Sequence, residues 1–231
     1  MSPRAQRLWV MWGEPTEGRR RRIGELWRDR EGYAFAYVRE AGAAQAEGFQ
    51  MLPEFPEPHT AEAPYRSRYL FATFSQRIPS PKRADFDSIM AAWGVLNIDD
   101  PLEVLAASGG VQMTDRIELA EHRADDDDLS SPLFIRVAGT RYYPAAEQIQ
   151  ADTELELVRE PSNPEDESAT MLRTPDGQQI GYVPRQYSRI VARALDAGHP
   201  VAAVAVRWLA VPGATRRLVV RLRRAPGPRA V

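Results

Sequence analysis

Apolar residues in the first part of the chain come in short, aromatic-rich runs separated by glycine-containing polar breaks. RLWVMW (7–12), RIGELWR (22–28) and YAFAYV (33–38) have the length and residue types of strands. The RRRR run at 19–22 falls between the first two and reads as a hairpin loop. A proline-rich stretch, 53–64, has no periodicity and reads as an ordered surface loop. The period then changes. In ADFDSIMAAWGVL (84–96), Phe86, Ile89, Met90 and Trp93 recur at helical spacing and Gly94 closes the run. DPLEVLAAS (100–108) predicts a second short helix, with Asp100 as N-cap, Pro101 in the first turn and Gly109-Gly110 as the stop.

The second half is more regular. LFIRVAGTRYY (133–143), ELELVR (154–159), ATMLRT (169–174) and QQIGYV (178–183) predict strands, with a tight turn at Pro175-Asp176-Gly177. Residues 185–197 predict the clearest helix. Tyr187, Ile190, Val191, Ala194 and Leu195 define one buried face, and Gly198 stops it. Arg185, Arg189 and Arg193 lie four apart and form a basic stripe beside that face. Two last strands, 201–210 and 216–224, are joined by VPGAT; in the second, Leu218, Val220 and Leu222 alternate with Arg217, Arg221 and Arg223. Six strands and one good helix in about a hundred residues predict a small, partly open β-barrel with a helix packed across one end. Between the halves, EHRADDDDLSSP (121–132) is polar and carries four consecutive aspartates, which repel one another and suggest a solvated linker.

Composition narrows the chemistry. The 231 residues contain no cysteine, which excludes disulfides, thiolate metal sites and a cysteine nucleophile. His59, His122 and His199 are far apart, without metal-ligand spacing. No phosphate-binding glycine loop and no Gly-x-Ser-x-Gly elbow is present. The net charge of −2 is unevenly spread. Residues 129–231 hold 14 Arg against 10 Asp and Glu, a net +4, while residues 1–128 are net −6. A mildly basic second half suits a polyanionic partner. No apolar run reaches bilayer-spanning length, and the first residues lack the pattern of a signal peptide, so a cytoplasmic protein is expected.

Three ordered motifs now stand out: VAGTRYYP (137–144), LELVREPSNPEDESATML (155–172) and IGYVPRQYSRIVARALDAG (180–198). Together they resemble a HIRAN domain over about residues 132–224. The shared elements are Gly139, Arg141-Tyr142, Arg159-Glu160-Pro161, Asn163-Pro164, Asp166, Ala169 and Gly181-Tyr182-Val183-Pro184. The resemblance implies an OB-like barrel that binds single-stranded DNA. In the best understood member it holds a free 3′ end, and other members are fused to helicases and nucleases of DNA repair. It implies that Tyr142 stacks on a base and that Asp166 accepts a hydrogen bond from a terminal 3′-hydroxyl, a role open to a carboxylate that would repel a phosphate. The alternative for Asp166 is to cap the turn after Pro164. Where that member has an aromatic before the aspartate, this chain has Glu165.

Other candidates follow from position. Arg141 is a phosphate contact or a surface charge. Arg185, at the start of the basic-striped helix, suits phosphate because a helix N-terminus adds N–H donors. Tyr182 either binds or packs, and Arg189 extends an electrostatic track. The first half, LWVMWGEPTEGRRRRIGELWRDREGYAFAYV with YLFATFSQRIPSPKRADF (69–86), is similar to the N-terminal subdomain of HipA-type serine/threonine kinases over roughly residues 7–90. Kinase metal-binding and catalytic-base motifs are missing, so that likeness implies a fold and a protein-binding habit, not an activity.

The expectation is thus a mixed, mainly β (α+β) protein: a HipA N-terminal-like domain at 1–120, an acidic linker at 121–131, a HIRAN-like barrel at 132–224 and a flexible tail at 225–231. The expected function is non-enzymatic binding of single-stranded DNA, with no cofactor and no metal. A protein partner such as a helicase, nuclease or HipA-type kinase fits beside it. The alternative is a protein–protein adaptor or toxin–antitoxin component.

Overall fold

The computed structural model describes residues 7–15, 20–93, 95, 97–112, 114–124, 126–209 and 217–225. The chain forms two units, Met1–His122 and Arg123–Val231.

The first unit is built on a five-stranded antiparallel sheet of β1 (Arg7–Gly13), β2 (Arg20–Asp29), β3 (Gly32–Tyr37), β4 (Tyr65–Ser67) and β5 (Ile117–Glu121). Their spatial order is β4-β3-β2-β1-β5. Between them lie α1 (Ala41–Ala46), α2 (Ala72–Ser75), α3 (Phe86–Trp93) and α4 (Pro101–Ser108). Alternation along the strands sends Leu8, Val10 and Trp12, Ile23 and Leu26, Phe35 and Tyr37 into one core, where they meet Phe49, Phe55, Phe74, Leu102 and Leu105. The proline-rich stretch is an ordered surface loop that plants Phe55 in this core, where Phe55 is fully buried. The buried Tyr37 hydroxyl bonds the Phe55 carbonyl and the Leu52 N–H, both at 2.9 Å, and burial pushes its pKa up to about 12. Asp100 caps α4 through the Leu102 N–H, and Gly109 ends it in the left-handed region.

The arginine run is not a loop. Arg20, Arg21 and Arg22 lie in β2, and each meets a carboxylate: Glu118, Glu47 and Glu40. These acids sit on β5, just after α1 and just before it. Acids brought in by other elements neutralise a run of like charges that looks solvated in the sequence alone. Arg19 lies outside the described residues.

The second unit holds β6 (Leu133–Arg136), β7 (Glu154–Arg159), β8 (Thr170–Arg173), β9 (Gln179–Tyr182), α5 (Arg185–Asp196), β10 (Val201–Leu209) and β11 (Arg217–Arg224). The sheet order is β6-β11-β10-β7-β8-β9. The two ends of this sheet meet. Just past β6, the Val137 N–H bonds Leu218 of β11, while Ala138 exchanges both backbone bonds with Tyr182 of β9 at 2.9 Å each. One short bridge therefore curls the six strands into a small, partly open barrel. α5 packs against β8 and β10. Its Tyr187, Ile190, Val191 and Ala194 are buried, as their spacing predicts, and Leu195 lies half-buried at the margin.

Three expectations need correction or placing. The strand predicted over 133–143 stops at Arg136. Gly139 takes a positive φ of 77°, and two 3-10 turns, Thr140–Tyr142 and Pro144–Gln148, follow. The acidic stretch is folded onto the second unit. Leu129 is fully buried, its N–H is capped by Asp127, and its carbonyl accepts from the Arg224 N–H. The VPGAT loop, Gly94 and all of the predicted tail but Ala225 lie outside the described residues. No described helix is long and apolar enough to cross a membrane.

Candidate nucleic-acid interface

The closing bridge draws three distant segments together. The turn at 139–143 follows the Ala138–Tyr182 bridge, α5 begins three residues after Tyr182, and the loop joining β7 to β8 touches β9 through Tyr182 and α5 through Ser188. That loop, 160–168, is held by its own residues. The Glu160 N–H bonds the Ala169 carbonyl at 3.0 Å, and Asn163 Oδ1 accepts from the Glu165 N–H at 3.0 Å. Asn and Asp favour such turns because their side chains replace a backbone partner two residues on. Glu160 Oε2 then accepts from Asn163 Nδ2 and from the Tyr182 hydroxyl, each at 3.0 Å, tying the loop to β9.

Asp166 ties the same loop to α5. Its Oδ1 accepts from the Ser168 N–H at 2.9 Å, so the turn-capping role is present. Its Oδ2 accepts from the hydroxyl of Ser188, on α5, at 2.7 Å. The carboxylate is half-buried. Both oxygens already hold one donor, and each keeps capacity for another.

The aromatic residues divide by role. Tyr142 is 66% exposed, with the Arg141 guanidinium 4.6 Å from its ring centre and hydrogen-bonded to its hydroxyl. The turn, not strand alternation, aims the ring outward. Tyr182 is half-buried, 6.3 Å from the Tyr143 ring, and its hydroxyl is committed to Glu160. Burial, Tyr143 and Glu160 together hold that hydroxyl well above the ordinary tyrosine pKa. Its neighbour Gly181 has φ +147°, and a Cβ there would overlap the Ala138 carbonyl oxygen. Only glycine lets the two chains approach this closely.

Arg185 is exposed in the first turn of α5, and Arg189 is exposed one turn further on. Arg193, the third of the stripe, donates to the Asp127 carbonyl at 3.1 Å. Glu165 is exposed beside Asp166 and places a second negative charge at the site.

Two supports had no role assigned from the sequence: Arg159, named there only as a motif position, and Ser188. Arg159 bonds the Ala169 carbonyl at 2.6 Å, the Glu167 carbonyl at 3.2 Å, and Asp196 at 3.0 and 3.1 Å. Ser188 is buried, and a hydroxyl next to Tyr187 on an otherwise apolar helix face was the one available signal.

A curled six-stranded sheet with one packed helix places the second unit among the small OB-like barrels. Residues 132–211 match the HIRAN domain model, and this part of the chain is a HIRAN domain. Two solved structures are similar. The HIRAN domain of human HLTF is 22% identical, with 41% of this chain and 76% of that one covered and a TM-score of 0.35. A protein from Lactobacillus plantarum is 19% identical, with 40% and 97% covered and a TM-score of 0.33. No curated protein matches the chain. The likeness of residues 7–90 to the HipA N-terminal subdomain finds no support in these comparisons.

Proposed function

We propose that the second unit binds single-stranded DNA and receives a free 3′-hydroxyl end beside Asp166. The match to the HIRAN domain supports DNA as the partner class. The observation that carries the site is the half-buried Asp166 carboxylate held against α5, whose first turn carries exposed Arg185, with Tyr142 turned outward on the turn that follows the closing bridge. In this reading Tyr142 stacks on a base, Arg141 and Arg185 meet phosphates, and Asp166 accepts from the terminal hydroxyl. Arg189 extends the positive track along α5. Tyr182 supports the site from beneath, since its hydroxyl is already engaged. No bond is made or broken in this scheme, and no cofactor enters it.

The test is titration of labelled single strands at low salt, comparing 3′-hydroxyl with 3′-phosphate ends. The hydroxyl-ended strand binds more tightly if the reading holds. Equal binding of the two, or binding of neither, removes end recognition.

A further inference from the structure

Ser188 carries more than a helix-packing role. It is 3% exposed, in the first turns of α5, and its Oγ has two acceptors within reach: Asp166 Oδ2 at 2.7 Å and the Arg185 carbonyl at 2.9 Å. A serine within a helix commonly returns its proton to a carbonyl three or four residues back. Here the carboxylate is nearer and charged, so it is the stronger acceptor. Asp166 is then gripped from two sides, by a loop N–H on one oxygen and a helix hydroxyl on the other. The far end of the helix holds the same loop, through Asp196 and Arg159. The loop is thereby fastened to α5 near both of its ends.

We propose that Ser188 is a positioning residue, fixing the Asp166 carboxylate so that its remaining lone pairs meet a hydroxyl-ended strand and turn away a phosphorylated one. The proposal rests on the DNA reading above. It adds that selectivity is set from the helix, by a side chain that need not touch the ligand. Without Ser188 the carboxylate keeps only its loop partner and can rotate away from the position the hydroxyl needs.

Four proteins test it: wild type, Ser188→Ala, Asp166→Ala and the double variant. For each, the ratio of affinities for 3′-hydroxyl and 3′-phosphate strands is measured. Loss of one hydrogen bond to a charged group lowers that ratio about tenfold in Ser188→Ala. If Ser188 acts through Asp166, the same change moves the ratio less than about twofold in the Asp166→Ala background, because coupled residues are not additive. An equal effect in both backgrounds, or none in either, overturns the proposal. A second measurement needs no DNA. Amide exchange at Ser168 speeds up about tenfold or more in Ser188→Ala while Leu172 in β8 keeps its protection. Unchanged exchange at Ser168 overturns the positioning role. A wild type that binds neither strand overturns the DNA reading and the selectivity claim, while the exchange result still decides whether Ser188 holds the loop.

Discussion

Replacing Tyr142 with alanine separates binding from folding. The ring is 66% exposed and rests on Arg141, itself an exposed side chain. A tyrosine offers on the order of 200 Å² of surface, so the covered third is roughly 70 Å². At about 25 cal/mol per Å² its loss costs at most about 1.8 kcal/mol. Part of that cover comes from residues equally near in the unfolded chain, so the true cost is smaller. Stacking on a base contributes about 1–3 kcal/mol, a factor of roughly 5 to 150 in affinity. Tyr142→Ala therefore weakens binding by at least about fivefold and leaves the unfolding midpoint near that of wild type. Tyr182→Ala does the reverse. It removes a half-buried ring and leaves Glu160 without its phenol donor, so stability falls by about 2–4 kcal/mol. Anisotropy titration with a labelled strand and urea unfolding measure the two effects. The assignment fails if Tyr142→Ala binds as wild type does, or if Glu165→Ala weakens binding more.

Gly181→Ala adds a Cβ that overlaps the Ala138 carbonyl at a φ of +147°, so it destabilises the second unit by about 2–3 kcal/mol or more. A loss under about 0.5 kcal/mol in urea unfolding would refute the idea that this bridge closes the barrel. In the first unit, burial lowers the His122 pKa, Arg7 and Arg22 add to the effect, and Glu25 opposes it. The unfolded chain takes up a proton near pH 6.5 while the folded imidazole resists, so stability from this group is complete above about pH 6.5 and declines as pH falls below it. Urea unfolding between pH 7.5 and 5.5 checks this against His122→Gln, in which that part of the slope disappears.

Elements built from contiguous patterning were legible in the sequence. β7 and α5 run where alternation and helical spacing place them, because the barrel buries one face of each. The elements missed are those set by partners elsewhere. β4 is three residues long and exists only by pairing with β3, and the polar-edged β5 is recruited by β1. The Arg20–Arg22 run depends on three acids up to 98 positions away, which no local pattern encodes. Residues 133–143 look like one strand because apolar and aromatic residues continue past Gly139. The left-handed glycine breaks the run, and that break is what turns Tyr142 outward. Asp166 was legible as a turn residue, but its tie to Ser188 spans 22 positions and appears only in the folded chain.

The charges around the site determine how binding should depend on salt. Arg141 and Arg185, the proposed phosphate contacts, are exposed, and the loop tied to α5 also carries exposed Glu165 and Glu167 beside half-buried Asp166. On the proposed reading few phosphates are neutralised, and most of the affinity comes from stacking and from the hydroxyl contact. Neither releases counterions. For single strands each neutralised phosphate adds about −0.7 to the slope of log K against log salt. Two arginines give a slope of about −1.4, and engagement of Arg189 as a third gives about −2.1. Arg185→Ala makes the slope shallower by about 0.7, while Tyr142→Ala lowers affinity at every salt concentration and leaves the slope alone. A wild-type slope steeper than about −3 would mean that the strand follows a longer basic track than these arginines provide, and end recognition would then be a minor part of the affinity.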